Sequence, residues 1–570
     1  MTGLIFDKLL AAFTAVLSPL SKKPPLTLTK DVPSQKLMFA AGIFILCLFL
    51  WRLVTVPVLH PLRIFPDQAM FVAIGELLLQ GKRPYVDLFD INPPLPLYAH
   101  MLPAAVARLW AIPPPQAFAF TIIGLWLYSV IFCLWLMWRE SDHKESFLFM
   151  PLLLSYSYLT LWLSEKEEFG QREHIYLLLF LPFFLIRWLR WNGRPIPAAA
   201  AILAGLVASV GLFFKQYYLI AAIVLELLWW VEKRRWRCLV APETVTCAVF
   251  GLAYAGFLLT LPEDIKSGYF SFMVPIFASG YGEYCSSIIF QLLGWGQAWD
   301  DHMLLLACTC GLGVALMRYS TLIMPLLAFT LVGFASYLMQ GQPWLNHMVP
   351  FMAGSYMLAG VEAAILVFIV RQFLPPVLKR LDFVWLAALC LWQQQIAAET
   401  ISRQGHDLSS APKLAIAPFG DPQAVPKEDL NELAPAILRY TQPGDAVLCM
   451  SRSIGPGYPI LLQLNRRPAS RYLHAMLLPT LIFARENSVT MPVQTQMDLF
   501  KNQVVRGYKQ DIKAVRPKLI FISPLIWDIL GGVHFDQDTL DKDYVFSGVI
   551  EEARVYIRKD VPGCPAPMAK

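Results

Sequence analysis

The feature that most restricts the fold of this chain is a series of long apolar stretches that fills its N-terminal two thirds. Each stretch approaches the roughly 20 residues that an α-helix needs to cross a bilayer. The stretches begin near Leu37, Gln116, Ser146, His174, Pro197, Tyr217, Glu243, His302, Thr321, Met348 and Asp382. Because helices satisfy their own backbone hydrogen bonds in lipid, the sequence predicts an α-helical polytopic membrane protein with about eleven transmembrane helices.

The composition excludes two classes of protein. Of the 570 residues, 56% are hydrophobic and 15% are charged, whereas soluble domains carry about 25% charged residues. The net charge of +6 does not indicate a nucleic-acid partner, because the 47 Lys and Arg residues are scattered between apolar stretches. No CxxC or HExxH motif occurs, so the spacing predicts neither a redox motif nor a metal site.

Lys and Arg residues predict the orientation of the chain. With the N-terminus in the cytoplasm, the inside segments hold more than twice as many of these residues as the longer outside segments, as the positive-inside rule requires. Residues 1–36 then form a cytoplasmic amphipathic segment, and residues 37–398 form the transmembrane domain. Residues 399–570 alternate short apolar runs with turn residues, which predicts an extracytoplasmic α/β domain.

The first outside loop is too long to be a simple connector. Met70, Phe71, Ile74, Leu77 and Leu78 fall on one helix face, and a second set from Tyr98 to Leu109 does the same. These patterns predict two interfacial helices that lie on the bilayer. Asp67 stands at the N-terminal end of the first helix, where the helix dipole favours a charged carboxylate. It is either a helix cap or a functional acid.

A second charged cluster follows the third span, from Glu165 to His174. Glu168 and Arg172 form a helical i,i+4 pair, which is typical of a solvated loop. Arg172, Glu173 and His174, however, lie against the start of the fourth span, where an ionisable group needs a partner or a purpose.

Two more ionisable residues stand at the same predicted outer surface. Lys215 lies between the fifth and sixth spans, where it either extends to lipid headgroups or contacts a phosphate. His347 ends a short polar loop beside Trp344, where it either makes an interfacial hydrogen bond or lines a site.

Carboxylates and cations at one membrane surface suit one kind of reaction. A carboxylate can accept the proton of an acceptor hydroxyl, and cations can stabilise the charge that grows on a departing phosphate. If that phosphate is attached to a lipid, the site must lie where headgroups meet water. The predicted outside loops lie at this depth.

The order of a first span, Pro66-Asp67 and two interfacial helices resembles the GT-C glycosyltransferases, which include protein O-mannosyltransferases and lipid A aminoarabinose transferases. The motifs Gly81-Lys82-Arg83-Pro84-Tyr85 with Asp87, Phe169 to His174, Trp344 to His347 and Arg467 to Tyr472 resemble bacterial glycosyltransferase-39-like membrane proteins. This similarity extends over most of the chain. Gln68 follows Asp67, whereas the O-mannosyltransferases have adjacent acidic residues there, so their acceptor and mechanism are not transferred.

The resemblance implies roles for individual residues. Asp67 aligns with the family's catalytic carboxylate, and Glu168 and Glu173 occupy the place of a second acidic residue. The donor phosphate and the substrates would contact residues of both loops: Lys82, Arg83, Tyr85, Asp87, Arg172, His174, Lys215 and His347.

The resemblance also implies a function. The chain would transfer a sugar from a polyprenyl-phosphate-linked donor to a lipid, glycan or protein acceptor, with inversion, at the outer face of a bacterial inner membrane. A divalent metal ion is essential in some relatives, and the residues here indicate no ligand set for one. Two other functions stay open: a transporter or flippase of a lipid-linked sugar, and a non-catalytic envelope assembly protein.

Overall fold

The computed structural model describes residues 34–141, 143, 145–234, 239–293, 297–373, 419–425, 430–488 and 490–565. The chain forms two compact units. The first consists of residues 1–52, 125–250 and 286–405, and the second of residues 53–124, 251–285 and 406–570. Most of the predicted N-terminal segment, the predicted eleventh span near Asp382 and the predicted domain boundary at residue 399 lie outside the described residues.

The polytopic membrane fold predicted from the apolar stretches is confirmed. Seven helices in the described part of the chain are long and apolar enough to cross a membrane. With three further helices in the same series, they account for ten of the eleven predicted starting points. The ten helices are Ser34–Leu59, Pro114–Arg139, Phe149–Leu163 with the 3-10 turn Ser146–Leu148 before it, Arg172–Trp191, Ala198–Leu212, Gln216–Lys233, Pro242–Thr260, Gln297–Leu316, Ile323–Gln340 and Leu345–Phe373.

The first unit has a buried centre, and its outer helices expose large apolar side chains. The helices Phe149–Leu163 and Arg172–Trp191 are almost wholly buried. Small residues let neighbouring helices approach closely: a Cβ on Gly333 would lie 2.8 Å from the backbone nitrogen of Phe351. Helix Arg172–Trp191 is further fixed near its C-terminal end, where Arg187 pairs with Glu243 at 2.7 Å and with Glu226.

The two predicted helices of the first outside loop are present in the second unit. Helix Pro66–Leu79 begins beside Asp67, and Gln68 Oε1 accepts a hydrogen bond from the Phe65 N–H at 3.2 Å. Helix Met101–Trp110 leaves Leu102, Leu109 and Trp110 exposed, the arrangement expected of a helix that rests on lipid.

Shorter helices complete the loop regions of both units. The bounds are Pro94–Ala99, Glu263–Lys266, a π-helical turn Ser267–Met273, Val274–Gly280, a 3-10 turn Tyr281–Tyr284 and Ile288–Leu293.

The C-terminal part of the second unit is an α/β domain, as predicted. Its strands are β1 (Ala446–Met450), β2 (Arg467–Pro468), β3 (Leu519–Ile522), β4 (Tyr544–Ile550) and β5 (Ala553–Arg558), in the order β2-β1-β3-β5-β4. The first three strands are parallel, and β5 runs antiparallel to both β3 and β4. The helices of the domain are Ala434–Tyr440, Ile460–Gln463, Leu477–Glu486, Met491–Val515, Pro524–Leu530 and Val533–Phe535.

Candidate active site

A buried ion pair lies where the ends of several apolar helices of the first unit meet. Glu173, in the first turn of helix Arg172–Trp191, accepts a hydrogen bond from the Lys215 ammonium. Lys215 precedes helix Gln216–Lys233 and also donates to Gln340 Oε1 at 3.1 Å. Glu173 is fully buried and Lys215 is half-buried. Such a pair is stabilising only while both charges are present, because either one alone would be a buried and uncompensated charge.

Further polar side chains surround this pair. Arg172 and His347 both act electrostatically on the Glu173 carboxylate, and the Tyr218 hydroxyl lies beside it. We call Arg172, Glu173, Lys215, Tyr218, Gln340 and His347 the Glu173 cluster. The cluster holds two cations, Arg172 and Lys215, and one carboxylate, Glu173. It therefore carries net positive charge close to an apolar helix bundle. A phosphate oxygen is the type of ligand that such a cluster favours.

Gln342 lies next to the cluster, in the loop that leads to His347. Its side chain is 0% exposed, and neither its amide nitrogen nor its amide oxygen has a hydrogen-bond partner among the described residues. A buried amide without partners costs free energy, and native proteins usually satisfy it with a ligand or an ordered water. Gln342 is therefore a candidate contact for a polar ligand.

His174 holds the neighbouring loop. Its Nδ1 accepts the N–H of Gly170 at 2.9 Å, and its Nε2 lies 3.3 Å from the Thr160 hydroxyl. Gly170 adopts a φ of +72°, a conformation that favours glycine. Both ring nitrogens are engaged within the protein, so a substrate contact would require one of these bonds to break.

Glu168 belongs to the same loop and is 8% exposed. Burial raises the pKa of its carboxyl group to about 7, because desolvation penalises the charged form. A carboxyl group with a pKa in this range can exchange a proton at neutral pH. This property suits a general acid or base.

In the second unit, the predicted residues of the first outside loop are partly engaged with one another. Arg83 pairs with Asp264 and with Asp87, whose carboxylate also accepts the Arg83 backbone N–H at 2.9 Å. Arg83 therefore already holds two carboxylates, whereas Lys82 is exposed.

Tyr85 is the most constrained residue of this loop. Its side chain is buried, its hydroxyl donates to the Asn92 carbonyl, and its φ is +61°. A bulky residue in the left-handed region is strained, and such strain is concentrated at functional sites. Asp90, in the same loop, is buried and accepts two hydrogen bonds from Asn92.

Asp67 is half-buried at the start of helix Pro66–Leu79. Together with Asp90 it acts electrostatically on His474, a residue of the C-terminal α/β domain. Asp67 thus lies within electrostatic range of a histidine that the sequence did not single out. His474 stands two residues after the Arg467 to Tyr472 motif, and this position was the only available signal.

Among the predicted residues of the first unit, Arg172, Glu173, Lys215 and His347 form one cluster. Tyr218 and Gln340 join them, and Gln342 lies beside the cluster. None of the three was predicted, since uncharged polar residues in or next to apolar stretches give no distinct signal. In the part of the chain that the structure describes, no three His, Cys, Asp or Glu side chains are grouped so that they could hold a metal ion.

The fold of this chain is similar to that of solved structures. The chain matches the crystal structure of ArnT from Cupriavidus metallidurans bound to undecaprenyl phosphate, with a TM-score of 0.55 over 92% of this chain and 99% of that one. This chain has the GT-C fold. The apo structure of the same ArnT gives a TM-score of 0.56, with 91% of this chain and 98% of that one covered.

Sequence identity to the two ArnT structures is 13% and 12%. No family model matches the chain, and no curated protein matches it. The likeness therefore establishes the fold predicted from the sequence.

Proposed function

We propose that this protein is a membrane glycosyltransferase that moves a sugar from a polyprenyl-phosphate-linked donor to an acceptor on the extracytoplasmic side. The observation that carries the proposal is the fold shared over 92% of the chain with ArnT, a protein crystallised with undecaprenyl phosphate. The buried, net positive Glu173 cluster adds a local reason, because it can bind an anionic headgroup at the end of an apolar bundle.

In this proposal the Glu173 cluster supplies the phosphate contacts. Lys215 and Arg172 bind the donor phosphate, with Glu173 holding Lys215 in place. His347 and the buried amide of Gln342 bind the remaining phosphate or sugar oxygens. When the bond to the sugar breaks, negative charge grows on the phosphate, and preorganised cations stabilise that charge.

In this proposal Asp67 is the base. Asp67 accepts the proton of the acceptor hydroxyl, whose oxygen forms a bond to the anomeric carbon. The bond from that carbon to the phosphate oxygen breaks, and the polyprenyl phosphate leaves with the electron pair. Attack opposite the leaving group inverts the anomeric centre. Lys82, Arg83, Tyr85 and Asp87 would contact the sugar or the acceptor, and Glu168 would serve as a second acidic group.

The proposed location of the protein is a bacterial inner membrane. The distribution of Lys and Arg favours a cytoplasmic N-terminus and an extracytoplasmic C-terminal domain in a bacterial inner membrane. The acceptor is then a lipid, glycan or protein of the cell envelope.

The test compares Asp67→Asn with Glu76→Gln in proteoliposomes that contain a labelled polyprenyl-phosphate sugar. Both substitutions remove one carboxylate from helix Pro66–Leu79, and Glu76 pairs with Arg108 in a partly exposed ion pair. We expect Asp67→Asn to lower kcat at least about a hundredfold and Glu76→Gln to retain most of the activity. Full transfer by a folded Asp67→Asn variant would exclude Asp67 as the base.

The flippase alternative depends on carboxylates within the membrane-spanning helices, because an intramembrane carboxylate can mark a transport pathway. Glu226 is already paired with Arg187, whereas Glu362 is buried in helix Leu345–Phe373 and its Oε1 has no hydrogen-bond partner among the described residues. Movement of the labelled lipid across the liposome membrane without a new glycosidic bond would favour that alternative.

A further inference from the structure

Side chains from three membrane helices of the first unit meet around Trp162. In the order of the ten helices given above, these are the third, the eighth and the tenth. Trp162 lies in the last turn of the third helix, and its ring centroid is 5.4 Å from that of His302 in the eighth. The His302 ring lies 6.4 Å from the ring of Tyr356 in the tenth. The Lys166 ammonium lies 4.3 Å from the centroid of the Trp162 ring. We call these four residues the Trp162 site.

Three side chains of the Trp162 site have polar atoms that the described part of the protein leaves without partners. His302 is 7% exposed, and neither of its ring nitrogens is hydrogen-bonded there. The Tyr356 hydroxyl makes no hydrogen bond with a described residue, and Lys166 forms no ion pair with one, although Glu165 and Glu167 flank it. Polar groups shielded from water usually have a partner in native proteins, and a bound ligand can be that partner.

The three groups share one chemical property, because each can donate a hydrogen bond. The donors are the Lys166 ammonium, one N–H of the His302 ring and the Tyr356 hydroxyl. A phosphate oxygen accepts such bonds, and its charge is attracted to a cation that lacks a counter-ion. Asp301 precedes His302, but it is exposed and makes no ion pair with Lys166. The Trp162 site therefore suits a phosphate group.

The site lies at the end of a membrane helix and beside an exposed apolar surface. Lys166 follows the last turn of the helix that carries Trp162, and Trp and Lys at helix ends are typical of the headgroup level. On the helix of His302, Leu304 and Val314 are 65% and 59% exposed. In a bilayer such a surface contacts acyl chains. A ligand that matches both features has a phosphate headgroup and apolar chains.

We propose that the Trp162 site binds the phosphate group of a bilayer phospholipid. Lys166 is the counter-ion, and His302 and Tyr356 donate hydrogen bonds to the phosphate oxygens. The acyl chains lie along the exposed face of helix Gln297–Leu316. This inference does not depend on the proposed sugar transfer, so either one can fail while the other stands.

The experiment measures the affinity of the full-length protein for dioctanoyl phosphatidylglycerol by isothermal titration calorimetry, in a detergent without phosphate or sugar groups. Dioctanoylglycerol, which lacks the phosphate, is the reference. Both probes are titrated into wild type and into Glu173→Gln/Lys215→Met, in which the Glu173 cluster has lost the charges of its ion pair. In both proteins we expect phosphatidylglycerol to bind at least about tenfold tighter than the reference, as charge-assisted hydrogen bonds allow.

Three conservative substitutions test the individual contacts. Lys166→Met removes the charge and keeps an apolar stem, His302→Phe keeps an aromatic ring without nitrogens, and Tyr356→Phe removes only the hydroxyl. Each should weaken the binding of phosphatidylglycerol at least about threefold and leave that of dioctanoylglycerol unchanged. Lys233→Met is the matched control, because it removes an exposed lysine of the same unit that pairs with Glu232. It should bind both probes as wild type does.

Equal affinities for the two probes in Glu173→Gln/Lys215→Met would overturn the proposal. Wild-type affinity for phosphatidylglycerol in folded Lys166→Met would do the same, as would an equal loss in Lys233→Met. If Lys166→Met does not fold, wild-type affinity in both His302→Phe and Tyr356→Phe would overturn it. Inorganic phosphate at the concentration of the lipid should not displace it, because the acyl chains contribute to binding. Displacement would assign the site to free phosphate and exclude the lipid.

Discussion

The substitution Lys215→Met tests the Glu173 cluster through its free energy of unfolding. Lys215 is bonded to Glu173, whose carboxylate is fully buried, and to Gln340 at 3.1 Å. Removal of one partner from a buried ion pair costs about 3–5 kcal/mol. Arg172 and His347 also act on the carboxylate and compensate for part of the loss. We therefore expect a loss of about 3 kcal/mol, roughly a hundredfold in the folding equilibrium.

The double variant Glu173→Gln/Lys215→Met separates stability from function. It removes both charges and keeps the volumes similar, so the unfolding free energy should return to within about 1 kcal/mol of wild type. Unfolding by SDS in mixed micelles, followed by tryptophan fluorescence, measures both changes. A single variant as stable as wild type would show that Lys215 does not compensate a buried charge, and would contradict the buried ion pair.

Two further substitutions have clear expectations. Burial raises the pKa of Glu168 from 4.5 to about 7, so the folded protein binds this proton more tightly than the unfolded chain. The stability that this proton provides is complete below pH 4.5 and is lost as the pH rises to about 7. The free energy of unfolding of Glu168→Gln should therefore match that of wild type in acid and exceed it by about 2–3 kcal/mol above pH 7. A difference in chemical unfolding that does not change with pH would contradict this. A Cβ on Gly268 would lie 2.1 Å from the Tyr85 carbonyl oxygen, whereas a Cβ on Gly256 would meet open space. Gly268→Ala should lower the free energy of unfolding by about 1–3 kcal/mol, and the control Gly256→Ala should change it little in the same measurement. Equal effects of the two substitutions would refute the close approach of Gly268 to Tyr85.

The membrane helices could be predicted from the sequence because lipid leaves the backbone few alternatives. An apolar stretch in a bilayer must satisfy its hydrogen bonds internally, so the starts of Arg172–Trp191 and Gln216–Lys233 were close to the positions expected. Strands such as β1 and β3 could also be predicted, because each is a short apolar run that follows a turn segment. Their order in the sheet was not predictable, since it depends on pairing between distant segments.

The candidate site was predictable only where charge stands beside apolar sequence. Glu173 and Lys215 were predicted as site residues because ionisable groups at membrane depth need partners. The structure pairs them. Arg83 pairs with Asp264, which lies 181 residues further along the chain, so no local pattern could reveal that its charge is already engaged. The sequence around Gln340 and Tyr218 gives no signal of a site, because only the fold places these residues next to Glu173.

The Glu173 cluster is proposed to bind the phosphate of a lipid carrier. The most direct measurement is the affinity of the purified protein in nanodiscs for a polyprenyl phosphate and for the uncharged polyprenol of equal length. Wild type should prefer the phosphate by at least about tenfold, a contribution within the range of charge-assisted hydrogen bonds. The Glu173→Gln/Lys215→Met variant should lose most of that preference. Equal affinities in wild type, or an undiminished preference in the double variant, would contradict the account.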